Sequence, residues 1–311
     1  MREVTMQREL TRDLMIGANT KQPFTMSTRV MNAAGILGFG DVFSNLYNFD
    51  RIGAVVTNPV TWSPRQPALG PRMIVKEGGV MLHTGLPNGG VKRVIRDYAS
   101  LWQMLGAPVV MHLMATSSRD LQRSIERIEA EPSLAGIELG LHDDITWRDA
   151  QTFVRVARER CEKPIIVRLP FPGSGDVARA AVEGGADALV ATAPPRGTER
   201  DPLSGRLMRT RIYGGLVRPM VLRAVGKLAS QFPDVPIIGA GGILSMEDAR
   251  NYLDVGAAAV QLDAALWVRP RLLEDVSRDL GGATVTRRTD SLPDEWHPGM
   301  GDTEAEALGL K

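Results

Sequence analysis

The sequence predicts an α/β chain folded as a closed (β/α)8 TIM barrel, with a short N-terminal hairpin and a polar C-terminal tail. Three observations carry that prediction. Apolar, β-rich runs alternate with amphipathic segments along most of the chain. The runs are continuously apolar rather than alternating, as strands buried on both faces are. A glycine cluster, PIIGAGGI at 236–243, ends a late strand just before a helix start, and a further strand-like run, VGAAAVQLDAAL, follows at 255–266. Gly239, Gly241 and Gly242 allow positive φ and close approach, and Ser245 can cap the next helix, so main-chain amides and a helix dipole converge on one point. In phosphate-binding barrels the anion is shared by two consecutive late βα loops.

In chain order, residues 1–28 form an N-terminal extension. Segments 13–17 and 24–26 are its two strands, a small hairpin or plug beneath the barrel. Barrel strands are predicted at 29–34, 54–59, 108–114, 136–141, 164–169, 188–193, 236–240 and 258–264. Helices are predicted at 91–104, 118–129, 147–160, 177–184, 217–230 and 246–255. A doubly wound open sheet is the competitor, and the regular units with the late glycine signal favour closure. The 311 residues exceed a bare barrel of about 250 by enough for the extension and the tail. The barrel domain is therefore 29–280. The tail, 281–311, carries Arg287, Arg288, Asp290, Asp294, Glu295 and Glu304 and reads as mobile or held by a partner.

Composition narrows the function. The 37 Lys and Arg against 36 Asp and Glu leave no general field for nucleic acid or an acidic membrane surface. Without a secretory signal or a bilayer-length apolar stretch, a cytoplasmic location is expected. Cys161 is the single cysteine, so neither an intramolecular disulfide nor a CxxC metal site is expected. His83, His112, His142 and His297 are scattered without ligand spacing, and no metal is expected. GxSxG and Walker-type loops do not occur. A small-molecule ligand is the remaining class.

Several stretches carry a family resemblance: NAAGILGFG (32–40), GAVVTNPVT (53–61), PRMIVKEGGVMLHTGLPNGGV (71–91), GIELGL (136–141), PIIVRLP (164–170), GGADALVATA (184–193), YGGLVRPMVLRAV (213–225) and PIIGAGGI. In that order they resemble the soluble dihydroorotate dehydrogenases, flavin enzymes on a TIM barrel, from about residue 14 to 275. The resemblance implies FMN across the barrel mouth. Ala33, Ala34 and Gly35 keep the family's small-residue approach to the ring. Arg168 stands for a lysine, a cation near where reduced flavin carries charge. Asn58 stands for a second lysine, and His112 for a frequent asparagine. On the phosphate side lie Gly215, Gly241 and Gly242. There Asp263 and Ala264 replace the family's Gly-Thr or Gly-Ser turn: Asp263 turns away toward Arg168, Arg196 or Arg211, or the site no longer holds FMN.

The substrate side departs further. Where relatives bind orotate with asparagines, this chain has Leu82, then Gly140, His142, Asp143 and Asp144, then Ala193 before Pro194 and Pro195, and only Asn88 survives. The resemblance therefore implies a substrate other than dihydroorotate. Asp143 aligns with the family's catalytic cysteine or serine, and reads either as the proton acceptor or, with Asp144, as a cap of the following helix. His142 is an alternative proton carrier. The stretch 193–215 reads as a long basic loop, with Arg196, Arg200, Arg206, Arg209 and Arg211 at the catalytic end; with His83 it would hold an anionic substrate, or make a subunit contact. Three functions stay open: an FMN-dependent oxidoreductase for a small anionic compound, a genuine dihydroorotate dehydrogenase of pyrimidine biosynthesis with a rebuilt site, and a flavin-free barrel, either a phosphate-ligand lyase or isomerase or a non-catalytic partner subunit. A homodimer or a partner subunit is the expected assembly.

Overall fold

A computed structural model describes residues 13–114 and 117–281. The expectations for the tail at 281–311, and with them His297, lie outside the described residues from 282 onward.

In chain order the elements are the hairpin β1 (Leu14–Ile16) and β2 (Phe24–Met26), barrel strands β3 (Val30–Asn32) and β4 (Val55–Val56), a second hairpin β5 (Met73–Lys76) and β6 (Gly79–Leu82), and α1 (Val91–Met104). There follow β7 (Val109–Met114), α2 (Ser118–Glu129), β8 (Gly136–Gly140), α3 (Trp147–Arg158), β9 (Ile165–Arg168), α4 (Gly175–Glu183) and β10 (Ala188–Ala191). A third hairpin, β11 (Arg196–Arg200) and β12 (Leu207–Gly214), precedes α5 (Arg218–Gln231), β13 (Ile237–Ala240), α6 (Met246–Asp254), β14 (Ala259–Leu262) and α7 (Leu272–Gly281).

Eight parallel strands run β3-β14-β13-β10-β9-β8-β7-β4. A parallel bridge between Met31 and Ala54, with the Gly53 amide donating to the Val30 carbonyl at 2.8 Å, joins the two ends and closes the barrel. The predicted strands stand in the predicted order, each shorter than its apolar run. In the first βα unit two 3-10 turns, Ser44–Leu46 and Phe49–Arg51, take the place of a helix.

Strand alternation divides the core into two layers. Side chains such as Val109, Met111, Ile137, Leu139, Ile165, Val167, Val260 and Leu262 point outward and pack under the helices. Their neighbours Val110, Ile166, Val190, Ile238 and Ala259 fill the lumen. Ile16, Phe24 and Met26 of the N-terminal hairpin join that lumen cluster, so the hairpin closes one end of the barrel. Burying a side chain of this size is worth about 1.5–3 kcal/mol, which explains why so short a hairpin is held.

The expected basic loop at 193–215 is a β-hairpin. Its strands pair from Arg196 with Arg211 to Arg200 with Leu207, and β12 then pairs with β6. The result is a four-stranded antiparallel sheet, β11-β12-β6-β5, standing beside the barrel mouth. Two long insertions are thus one element rather than two separate loops.

Candidate functional site

The site begins with the lumen-facing positions at the C-terminal ends of the strands. Below, these positions are apolar; one layer higher they are His112 on β7, Glu138 on β8, Arg168 on β9 and Gln261 on β14, all buried. Glu138 accepts from Arg168 Nε at 2.8 Å and lies 2.7 Å from His112 Nδ1, while its second oxygen accepts from Gln261 Nε2 at 2.5 Å. Arg168 Nη2 also donates to Gln261 Oε1. Burial opposes the Glu138 charge, but Arg168 and the hydrogen bonds from His112 and Gln261 overcome it and hold the carboxyl down to about 2. A buried carboxylate of this kind is tolerated because each oxygen is satisfied and a cation is fixed beside it. This network was not read from the sequence. Its signal was a single polar residue inside each apolar run, Glu138 in GIELGL and Gln261 in AVQL.

Above that layer lies a cavity of about 400 Å³. Ala33, Ala34, His112, Arg168, Ala240 and Asp263 form its floor, and the outer sheet contributes Leu82, Arg196, Arg209, Arg211 and Tyr213. His83 and Arg65 stand on the wall as well. Of the expected residues the cavity therefore gathers Ala33, Ala34, His83, His112, Arg168, Arg196, Arg211 and Asp263. The volume suits a small-molecule ligand.

Other expected residues stand elsewhere. Asn88 is spent on its own loop: its amide donates to Thr61 Oγ1 and the Leu86 carbonyl, and its oxygen accepts from Gly90 N at 2.9 Å. Asn58, Gly215 and the exposed His142 are not on the cavity wall. The Asn58 main-chain N–H donates to the Gly38 carbonyl at 2.6 Å, Gly35 takes φ of 91°, and Gly215 opens a 3-10 turn ahead of α5.

Asp143 is held by two arginines and does not cap the following helix. Arg211 grips it bidentately, Nη1 to Oδ1 at 2.7 Å and Nη2 to Oδ2 at 2.8 Å, and Arg196 Nε donates to the same carboxylate. Partial burial would raise its pKa, yet the two arginines outweigh that and keep it below the ordinary carboxylate value. A carboxylate so paired is a poor proton acceptor near neutrality. The cap of α3 is Thr146, whose hydroxyl accepts from Asp149 N at 3.1 Å, so neither Asp143 nor Asp144 caps it.

Of the three glycines expected at positive φ, Gly241 and Gly242 have it, at 140° and 69°, whereas Gly239 lies within β13 and leaves room for the Tyr252 ring. What the cluster presents its amide to is a side chain of this protein. Asp263, 5% exposed, accepts from Gly242 N at 3.3 Å through Oδ2, while Oδ1 is buried with no hydrogen-bond partner. Burial pushes this carboxyl up to about 6, against the amide of Gly242, the charge of Arg168 and the amides of Ala264 and Ala265. Asp263 has not turned toward the arginines; it sits in the amide nest.

The family profile described as dihydroorotate dehydrogenase matches residues 19–142 and 148–283. The chain belongs to that family. Among curated relatives, the protein named dihydroorotate dehydrogenase B (NAD(+)), catalytic subunit, of Geotalea daltonii is 30% identical over 265 residues, which is 80% of this chain and 86% of the relative. Its namesake in Geobacter metallireducens is 29% identical over 268 residues, 81% of this chain and 87% of the relative. The Geotalea uraniireducens protein of the same name is 28% identical over 267 residues, 81% and 87% of the two chains.

FMN, the cofactor that the resemblance implies, meets two different ends of this cavity. At one end Ala33 and Ala34, with methyl side chains only, line the cavity together with Arg168, a set that fits a planar ring. At the other end FMN does not fit, because a phosphate would have to share the nest with Asp263. Like charges about 4 Å apart cost on the order of 4 kcal/mol per pair at an effective dielectric of about 20. Among the described residues, Arg168, the cation whose charge Asp263 feels, is committed to Glu138 and Gln261, and Arg218 is paired with Asp248.

Proposed function

We propose that this chain is a dihydroorotate dehydrogenase-like oxidoreductase acting on a small anionic compound other than dihydroorotate. The observation that carries the reading is the charge of the cavity wall, where Arg65 and Arg209 stand with Arg196 and Arg211, two guanidinium groups that share one carboxylate, Asp143, while Asp263 is the acid on the wall itself. Guanidinium groups suit carboxylates and phosphates because their donors form a planar fork. Leu82, Gly140 and Ala193 line the same cavity and offer no side-chain amide, which disfavours a dioxopyrimidine.

The chain's own residues have distinct tasks in this reading. Arg211 and Arg196, oriented by Asp143, present one face of a cationic pair to the substrate. His83 is the exposed titratable group on the wall and moves the proton, in place of Asp143 and His142. Leu82 and Tyr213 exclude water from the floor. The redox ring is of flavin type, and FMN itself is disfavoured only by Asp263.

The relatives are named as catalytic subunits, and an assembly is proposed here too. Leu216, Leu244, Met246 and Val268 are exposed apolar residues at the rim, with Leu244 near Gly215 and its carbonyl accepting from Arg269. No helix among the described residues is long and apolar enough to cross a membrane.

The test is anaerobic mixing of flavin-loaded protein with dihydroorotate and with a panel of small carboxylates and phosphate esters. Bleaching of the flavin band by a panel member and not by dihydroorotate is the expected result. Bleaching by dihydroorotate would establish the genuine dehydrogenase instead.

A further inference from the structure

The nest at the end of β13 and β14 is built to receive an anion, and this protein supplies one of its own. Asp263 follows directly on β14, and its Oδ2 takes the Gly242 amide that the glycine turn exposes. The amides of Ala264 and Ala265 favour the same charge, although neither closes a cap hydrogen bond. A carboxylate in this position does for the backbone donors what a ligand phosphate does in other barrels. A second observation points to a ligand: Asp263 lines the cavity, and Oδ1 of its carboxylate is buried with no hydrogen-bond partner. A bare buried acceptor of this kind is stabilised by a donor arriving from the cavity, and destabilised further by an anion.

The groups around it agree. Tyr213 stands on the same wall, and its phenol is held neutral by burial and by the Asp263 charge, up to about 12. Tyr252 donates its hydroxyl to the Gly241 carbonyl at 2.6 Å and so is already engaged. Arg168, Arg211 and Arg218, the cations that Asp263 and the two tyrosines feel, are bound to Glu138 with Gln261, to Asp143 and to Asp248 respectively. Each is already held by a carboxylate of this chain.

We propose that Asp263 occupies the phosphate seat of this barrel and makes the mouth select a flat ring ligand whose tail ends in a hydroxyl or amine donor, over the phosphate ester of the same ligand. The ring class is taken from the proposed function, on which this inference rests; the choice at the tail comes from Asp263. Riboflavin and FMN differ in that one group and are the probes.

Protein freed of bound chromophore is titrated with riboflavin and with FMN, reading quenching of flavin fluorescence, for the wild type, Asp263→Ser and Asp263→Asn. The wild type is expected to hold riboflavin at least about tenfold more tightly than FMN. Asp263→Ser, which opens the nest, is expected to reverse that preference by a gain in FMN affinity. Asp263→Asn keeps the shape, removes the charge and guards against misfolding of the serine variant; its FMN affinity is expected to rise by at least about tenfold, with little change for riboflavin. Wild-type protein that binds FMN as tightly as riboflavin, or a ratio unmoved in both variants, overturns the inference while leaving the flavin reading standing. Binding of neither compound by any of the three proteins overturns both.

Discussion

At Asp263 the preference of a buried carboxyl for its neutral form becomes a measurable pH dependence. Its folded pKa of about 6 lies above the ordinary value of 3.8, so between those limits the folded protein keeps a proton that the unfolded chain has released. Stability therefore falls as pH rises through that window, by about 3 kcal/mol at most, and is flat above it. Asp263→Asn removes the term, so denaturant unfolding at pH 5 to 7.5 should show the variant gaining on the wild type as pH increases. Glu138 behaves oppositely: its folded pKa of about 2 is below the usual 4.5, and its contribution is present above that value and lost in stronger acid. Replacing it with Gln strands the Arg168 charge in the lumen and should cost about 3–5 kcal/mol in the same unfolding measurement, the amount typical of breaking a buried pair from one side. An unchanged midpoint for Glu138→Gln would mean that the lumen is wet.

At the scale of elements, the hairpin β11–β12 is held to the β8 loop through Asp143, Arg196 and Arg211. Asp143→Ala removes a bidentate pair and leaves two guanidinium groups facing each other at the cavity wall. Amide hydrogen exchange across 196–211 should quicken about tenfold or more, with the barrel strands unaffected. Equal exchange in both proteins would assign the hairpin's order to its pairing with β6 alone. This element also marks the boundary of what the sequence made legible. Barrel strands announce themselves because burial on both faces forces continuous apolar runs, and their helices because one face must be apolar. The hairpin is flanked by Pro194 and Pro195 and filled with arginine, and only the period-two spacing of Leu207, Arg209, Arg211 and Tyr213 betrays a strand. Asp143 was legible as a chemically capable residue, yet its partners lie 53 and 68 positions away, and a charge so paired is indistinguishable in sequence from a free one. Asn88 illustrates the same limit: its loop consumes every polar atom that resemblance would assign to substrate.

For the whole molecule, closure of the barrel brings two late glycine and aspartate turns together, and the anion nest exists only because β13 and β14 are neighbours. The sequence showed both turns, and showed Asp263 as the residue out of place. The direction its side chain takes followed only from the structure. The exposed apolar rim of Leu216, Leu244, Met246 and Val268 belongs to this scale as well. Light scattering should give a mass at a multiple of the 33.8 kDa chain, and Leu216→Glu with Val268→Glu should return it to a single chain, whereas a monomeric wild type would leave the rim for a different partner subunit.

The central claim is that the mouth of this barrel holds a redox ring with a donor tail beside Arg168 and Asp263. The most direct measurement is the absorption spectrum of the purified protein after saturation with riboflavin and removal of the excess, followed by chromatography of what heat releases. A retained band at about 450 nm that elutes as one equivalent of riboflavin per chain is the result predicted. A colourless protein would contradict the claim.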